Sequence, residues 1–420
     1  MNNVTNIASG DAALSPDSYV LRSLTLTNHH GSSIELKDIY VKLVLTESLY
    51  SNTMFIELVV KDFHDTLSKL PINGMETIVV SLARKNHEYD TEDDVSLTFR
   101  ATHYPLYGTA QQGVSVWEVH GVSPHAFTSG NMKISRAISG LTIDEINKIA
   151  LNDLEIEGIA QGGSGISRMK GIINTMPPLK AIKWLSDMSY DVQNAPYYFY
   201  ETLHGIALKS LTFLLAQDPI ITLNDFKGSE GDYNTKFVYQ QNMKKLLSIA
   251  SDIRLDRPIQ GLRGAWKNKN KFIDIANKTI TSSLYDYEKD HTPMDAPIDQ
   301  DYSVYNEDVL INHSSINTMS YGNSNNVETM LRDNKGIRIA KEEILDSIIH
   351  NIRVNGNMSM NAGTMINLSL HKKEDLTITN DSEHTDKALS GKYLITDSIH
   401  TFEDGKYYTE ARIVREARGA

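Results

Sequence analysis

The sequence contains fourteen histidines, whose imidazole groups could bind metals or transfer protons. There is no His-Glu-x-x-His motif. His29 and His30 fall in a polar turn, and His120 and His125 flank the end of a predicted strand. A zinc site without cysteine needs His and carboxylate ligands at workable spacings, and these histidines offer none. We therefore expect exposed or hydrogen-bonded histidines and no metal ligand.

Two further motifs fail at named positions. Residues 162–165 read Gly-Gly-Ser-Gly, but a serine-hydrolase elbow needs Gly two residues on each side of the Ser, and Ile166 takes the second place. A flexible linker is predicted instead. Residues 299–303 begin like a calcium loop, yet position six is Val304 rather than Gly and position twelve is Leu310 rather than Glu.

Paired carboxylates are the remaining catalytic candidates. Asp93 with Asp94, or Glu307 with Asp308, could serve a glycosidase, but such pairs in an acidic chain are typical of solvated turns. The sequence has no Gly-Lys-Ser/Thr phosphate loop and no Gly-x-Gly-x-x-Gly after a strand. We expect no catalytic residue, no cofactor-binding residue and no cofactor.

Composition argues against cysteine-based sites, nucleic-acid binding and membrane insertion. The 420 residues include no cysteine, which excludes disulfides, thiolate metal sites and cysteine nucleophiles. The net charge is −12, and the best basic run, residues 267–271, is short and predicts a solvated loop rather than specific nucleic-acid binding. The first 21 residues do not read as a signal peptide, and apolar stretches such as residues 213–216 are too short to span a bilayer. We expect no membrane partner.

The first third of the chain is predicted to consist of short strands, which would position any functional residue there. Ile39, Val41, Leu43 and Leu45 alternate with polar residues and predict a strand with one buried face. The small, polar residues 1–17 predict a flexible arm. Further strands are predicted at residues 19–21, 24–26, 55–60, 76–82, 96–102 and 115–122, with a turn at 108–113.

The middle of the chain changes to a helical period. Thr142 and Glu145 form a capping box, and Pro177 with Pro178 opens a second helix. The pattern then predicts strands at residues 197–200 and 206–215, helices at 237–251 and 334–349, and a long loop or extended arm at 286–308.

The last ninety residues return to strands. Residues 351–358 and 365–370 flank an Asn-Ala-Gly turn. Residues 393–400 and 406–414 flank Asp404-Gly405. Asp-Gly between two alternating runs is a strong hairpin signal.

Three segments resemble the baseplate hub proteins of contractile-tailed bacteriophages, a family related to the hub part of type VI secretion spikes. Residues 40–62, with Thr-Glu-Ser-Leu-Tyr followed by Phe-Ile-Glu-Leu, resemble the opening barrel ribbon. Residues 355–366 resemble the strand–turn–strand of the second barrel. Residues 391–402, followed by Arg-Ile-Val at 412–414, are similar to the last hairpin.

The order of elements matches as well, over residues 19–215 and 330–416, whereas the intervening insert matches nothing in the family. The resemblance implies a β-rich α+β fold with two tail-tube-type β-barrel domains, the second split by helices and an irregular insert. The expected parts are a flexible arm (1–17), a first barrel domain (18–125), the first part of a second barrel with helices (126–221), an irregular insert (222–330), and a helix and hairpins that complete the second barrel (331–420).

The resemblance further implies a structural subunit that is not an enzyme. Hub subunits form a homotrimer whose six barrel domains make a pseudo-hexameric ring. One face meets the hexameric tail tube or a tube-initiator protein, the other holds a trimeric spike protein, and baseplate wedge proteins complete the partners. DNA passes through the lumen. The expected location is the virion tail baseplate, assembled in the cytoplasm of the bacterial host.

Two alternatives stay open. One is a tail-associated peptidoglycan-degrading enzyme, which would use one of the carboxylates above. The other is a fused spike, which would need an OB barrel and a β-helix repeat after the hub. The chain ends at Ala420, directly after the last hairpin, so we expect the spike to be a separate chain.

Overall fold

The computed structural model describes residues 16–63, 69–70, 72, 74–86, 91–111, 114–225, 241–253, 257–290, 310–316, 334–372 and 385–416. Among these residues, no helix combines the length and the apolar character needed to cross a membrane. Antiparallel strands dominate the fold, and most of them belong to one large sheet. The β-rich α+β class predicted from the sequence is confirmed at this level.

The N-terminal part of the large sheet holds seven strands in the order β3-β4-β7-β6-β5-β1-β2, all antiparallel. Leu43 and Leu45 of β3 are fully buried with Trp117 of β7, which confirms the predicted buried face at these two positions. Val41 is only partly buried, because the register shifts between Tyr40 and Lys42, and Val44 is buried as well. The strands are β1 (Val20–Thr27), β2 (Ser33–Glu35), β3 (Tyr40–Ser48), β4 (Phe55–Asp62), β5 (Thr77–Asn86), β6 (Thr91–Gln111) and β7 (Val114–Val122).

A helical layer with two small sheets follows. Its apolar core packs Ile146 and Ile149 of the first long helix against Ile182 and Leu185 of the second. The elements are α1 (Pro124–Gly130), β8 (Ile134–Leu141), α2 (Thr142–Leu154), β9 (Ala160–Gly162), β10 (Arg168–Met176), α3 (Pro178–Asp187), β11 (Tyr197–Thr202), β12 (Gly205–Ser210) and α4 (Leu211–Leu215). Strands β8 and β10 pair with each other, and β9, β11 and β12 form the second small sheet.

The insert contains ordered strands where irregular structure was expected. Its elements are β13 (Thr222–Asn224), β14 (Leu246–Ile253), α5 (Arg257–Leu262), β15 (Lys267–Asp274), β16 (Thr279–Asp286), α6 (Tyr287–Asp290) and β17 (Leu310–Ile316), followed by α7 (Lys335–Leu345). Strands β15, β16 and β17 form a separate sheet. The basic run at residues 267–271, predicted to be a solvated loop, lies in β15. Asn268, Asn270 and Phe272 of this strand are buried, whereas the lysines between them lie on the opposite face.

The C-terminal strands β18 (Ile348–Asn355), β19 (Met365–Ser369), β20 (Gly391–Glu403) and β21 (Lys406–Arg415) extend the large sheet in the order β14-β18-β21-β20. The predicted Asp-Gly hairpin is confirmed: Glu403 pairs with Lys406, and Asp404 and Gly405 have φ angles of 51° and 74°. Strands β18 and β19 are not paired with each other, although the sequence placed them on either side of one turn. Strand β18 pairs with β14 and β21, and strand β19 pairs with β13 and β20.

Strand β20 joins the two ends of the chain in one sheet. Its residues 391–394 pair with β19, and its residues 397–403 pair with β3 of the N-terminal region. The register against β21 shifts between Ile395 and Asp397, which leaves Thr396 as a bulge between these two stretches. Phe402 and Tyr407 from this hairpin lie in the N-terminal apolar core.

Two predicted helices and one predicted strand have different boundaries in the structure. Of the helix expected at 237–251, residues 241–243 are helical and residues 237–240 lie outside the described residues. Residues 246–251 belong to β14, because the ladder to β18 outweighs the helical spacing of Leu246 and Ile249. The helix expected at 334–349 ends at Leu345, and β18 begins at Ile348. The strand expected at 206–215 ends at Ser210, whose Oγ accepts a hydrogen bond from the Phe213 N–H and caps α4.

The capping box is also wrong. Thr142 is the first residue of α2 rather than its cap, and its hydroxyl lies 2.6 Å from Ser167 Oγ and 2.7 Å from Ser189 Oγ in a buried cluster. Glu145 pairs with Lys148 instead of reaching back to the helix start.

Two loop predictions lie partly outside the described residues. In the expected arm at 286–308, residues 287–290 are the short helix α6, and 291–308 lie outside them. In the turn expected at 108–113, β6 continues to Gln111. The end of the expected flexible arm is fixed, because the Asp17 carbonyl accepts a 2.8 Å hydrogen bond from the Tyr407 N–H.

Candidate functional site

The histidines singled out in the sequence serve separate structural contacts. His29 and His30 lie in an exposed turn with their rings against each other. His125 is buried, and its Nε2 lies 3.1 Å from the Asn52 carbonyl and 3.6 Å from Glu201 Oε2. These contacts tie α1 to the N-terminal strands and the small sheet.

The nucleophile and carboxylate candidates are not brought together. Ser164 is exposed in the loop after β9, and the described residues place no histidine within hydrogen-bond distance of it. Asp94 forms an exposed ion pair with Arg22 at 3.0 Å. The Asp93 side chain and residues 299–304 and 307–308 lie outside the described parts of the structure.

A buried polar network lies where β20 meets β3. Glu47 of β3 and His400 of β20 are both fully buried, with Glu47 Oε1 2.9 Å from His400 Nε2. His400 Nδ1 lies 2.8 Å from the Tyr407 hydroxyl, and Glu47 Oε2 accepts a 3.1 Å hydrogen bond from the Ala362 N–H. Ser398 Oγ donates to the Met360 carbonyl at 2.7 Å.

Burial raises the pKa of Glu47, while the hydrogen bond and the charge of His400 act in the opposite direction. The network connects β3, β20, β21 and the loop before β19, so each polar group has a partner that another segment supplies. A buried polar cluster of this kind fixes one arrangement of the segments. Any shift of one segment against another would leave a buried charge or a buried N–H without a hydrogen-bond partner. The network therefore holds β3, β20, β21 and the loop before β19 in one arrangement.

A cleft with a volume of about 570 Å³ lies between α3, β11 and α7. Tyr50 and Tyr198 form part of its wall with their rings edge to face. Arg338 bridges Asp187 at 3.2 Å and Glu342 at 3.1 Å. Two further acids of its lining pair with arginines outside the cleft, Glu343 with Arg263 at 3.6 Å and Asp346 with Arg412 at 3.0 Å.

The structure brings together three ligating side chains that sequence spacing did not reveal. Glu57 on β4 and Glu118 and His120 on β7 place one ligand atom each within 4.8 Å of the others. Glu118 Oε1 lies 2.5 Å from His120 Nε2. The signal is invisible in a linear motif because Glu57 reaches the other two only through the β4–β7 pairing, in which it lies opposite His120.

No protein-family model matches the chain, and no curated protein matches it. Solved structures give its fold, which is that of tail proteins. The tail protein from Neisseria meningitidis MC58 overlaps with a TM-score of 0.56 at 10% identity, over 95% of this chain and 97% of that chain. The 43 kDa tail protein of prophage MuSo2 from Shewanella oneidensis overlaps with a TM-score of 0.55 at 11% identity, over 94% and 98%. The resemblance to phage tail proteins that the sequence indicated is confirmed at the level of fold.

Proposed function

We propose that the chain is a structural hub subunit of a phage tail baseplate. In this proposal three copies form a pseudo-hexameric ring around the DNA exit channel, with the hexameric tail tube on one face and the trimeric spike on the other. Baseplate wedge proteins contact the outside, and assembly takes place in the host cytoplasm. The ring and its partners come from the family resemblance of residues 40–62, 355–366 and 391–402.

The observation that carries the proposal is the overlap with two tail proteins along nearly the full length of all three chains. An overlap of this extent includes the strands at both ends of the chain together with the middle helices, so it concerns the arrangement of the whole subunit. A single shared barrel would align over only part of each chain.

The proposed domain division assigns residues 18–125 to one tube-type domain and residues 126–221 with 331–420 to a second. Strand β20 supports a rigid connection between them, because it pairs with β3 in the first and with β19 and β21 in the second. A subunit that spans three-fold and six-fold partners benefits from such a connection, since both domains must keep fixed positions in the ring.

Mass measurement in solution tests the proposed assembly. The purified chain of 47.1 kDa is examined by light scattering alone and after mixing with a trimeric tail spike protein of the same phage. We expect a species of three chains, three times 47.1 kDa or about 141 kDa, either alone or with the spike bound. A chain that stays monomeric with both spike and tube-initiator proteins would contradict the proposal. A fold-disrupted variant, Leu43→Asp, is the control for nonspecific association.

The enzyme alternative gains no support from the comparisons. It predicts clearing of a peptidoglycan gel by the purified chain and loss of clearing in Asp94→Asn, the one member of the sequence-level carboxylate pairs whose side chain the structure describes. Clearing that Asp94→Asn abolishes would favour the enzyme over the hub, whereas an unchanged gel leaves the hub proposal as the better account.

A further inference from the structure

The geometry points to a divalent transition-metal site formed by Glu57, Glu118 and His120 on the outward face of the large sheet, with Zn²⁺ as its probe. This site is separate from the proposed assembly role and does not depend on it. The three side chains are called the β4–β7 triad below.

The sheet fixes the positions of the triad. Strands β4 and β7 pair from Phe55 with Val122 to Asp62 with Ser115 without a register shift, so Glu57 stands directly opposite His120. Side chains two residues apart on a strand lie on one face, which puts Glu118 beside His120. The opposite face of the same strands is the apolar core, in which Leu58, Trp117 and Val119 are buried.

The burial pattern places the triad at an accessible surface. Glu57 is exposed, and Glu118 and His120 are partly buried, with about a quarter of each side chain accessible. The His103 ring from the neighbouring strand β6 lies edge-on to the His120 ring, with 4.6 Å between the centroids. This contact limits how far the His120 ring can turn away from the glutamates.

The charges of the triad favour a cation. Two carboxylates share the site, and within the described residues neither Glu57 nor Glu118 has an ion pair with Lys or Arg. Like charges on neighbouring strands destabilise a sheet, and a bound divalent ion reverses the sign of that interaction. Imidazole nitrogen and carboxylate oxygen are the ligands that zinc takes when cysteine is absent.

The distances are compatible with binding after small side-chain rotations. Zinc binds nitrogen and oxygen at about 2.0–2.2 Å, so tetrahedral ligands lie roughly 3.4 Å from one another. The triad atoms lie within 4.8 Å, and the closest pair, Glu118 Oε1 and His120 Nε2, is at 2.5 Å. The ion would replace that direct contact, join β4 to β7 across the ladder, and leave its remaining coordination position to water.

Zinc titration of the full chain tests the site. The protein is first dialysed against a chelator, and binding is followed by calorimetry. We expect saturation at one molar equivalent for this site, with affinity lowered at least about tenfold in Glu57→Gln and in His120→Asn. The matched control is His371→Asn, which removes another exposed histidine with a carboxylate partner, Asp225 at 2.5 Å, and with no third ligand among the described residues. We expect it to bind zinc as the wild type does.

Urea unfolding supplies a second measurement. Zinc should raise the urea midpoint of the wild type and of His371→Asn, and leave that of Glu57→Gln unchanged, because only proteins that bind the ion gain stability from it. The metal-free midpoint of Glu57→Gln shows that the exposed substitution keeps the fold. Absence of saturable binding in the wild type overturns the proposal, as does equal binding by wild type, Glu57→Gln and His120→Asn.

Discussion

The buried histidine of β18 makes stability depend on pH. His350 is fully buried; its Nδ1 lies 2.8 Å from Ser251 Oγ on β14, and its Nε2 lies 3.2 Å from the Tyr393 hydroxyl on β20. Desolvation by burial lowers the pKa of His350 from 6.5 to about 4. The native protein therefore holds this imidazole neutral over a range in which the unfolded chain binds a proton.

The sign and the size of the effect follow from these two pKa values. The contribution of His350 is present above pH 6.5 and is lost as the pH falls from 6.5 towards about 4. At pH 5 the loss relative to pH 7 amounts to about 2 kcal/mol, which is a large share of the stability of an ordinary domain.

Urea unfolding at pH 7 and pH 5, followed by tryptophan fluorescence, measures this loss in the wild type and in His350→Gln. Glutamine keeps hydrogen-bonding groups at the position but does not titrate. We expect the variant to lose about 2 kcal/mol less than the wild type between the two pH values. Equal losses in both proteins would refute the reasoning.

The comparison with His350→Gln separates this effect from that of Glu47. Burial raises the pKa of Glu47 above 4.5, so the stability that Glu47 contributes is present below that pH and is lost as the pH rises through its native pKa. The two effects oppose each other in a single profile. Because both proteins contain Glu47, its contribution cancels in the difference.

Three substitutions test the packing. Glu47→Leu should cost about 3–5 kcal/mol in urea unfolding, because the buried His400 and a buried N–H lose their partner; a cost below about 1 kcal/mol would mean that the network carries no stability. Leu43→Asp should lower stability by several kcal/mol because a carboxylate enters a fully buried site, and an unmoved thermal transition would contradict the assignment of that strand. Gly356→Ala places a Cβ 2.0 Å from Cδ1 of Tyr407 and should cost about 1–3 kcal/mol or more, whereas a wild-type urea midpoint would show that the ring can move aside.

Local patterns predicted the local elements. Alternation gave β3 its buried face at Leu43 and Leu45, and the Asp404-Gly405 pair gave the last hairpin, since both signals depend on neighbours in the chain. The helix predicted at 237–251 fails from Leu246 onward, because Leu246 and Ile249 have helical spacing whereas a ladder to the distant strand β18 decides their structure.

Long-range strand pairing also brings together two polar clusters that no linear motif reveals. The β4–β7 triad depends on a strand register, and the Glu47–His400 network depends on β20 lying beside β3. Neither register is written in a short motif. Linear spacing therefore does not reveal side chains that only the sheet brings together.

The pairing of β20 with β3 can form only after nearly the whole chain has been synthesised. Glu47 and His400 are 353 positions apart in the chain. At about 5–20 residues per second, a ribosome needs roughly 20–70 s to make the second after the first. During that interval the edge of β3 has no partner strand from β20, and Phe402 and Tyr407 are missing from the N-terminal core. The first strands to emerge must therefore wait for nearly the last, and the nascent chain is most open to wrong pairing along that edge.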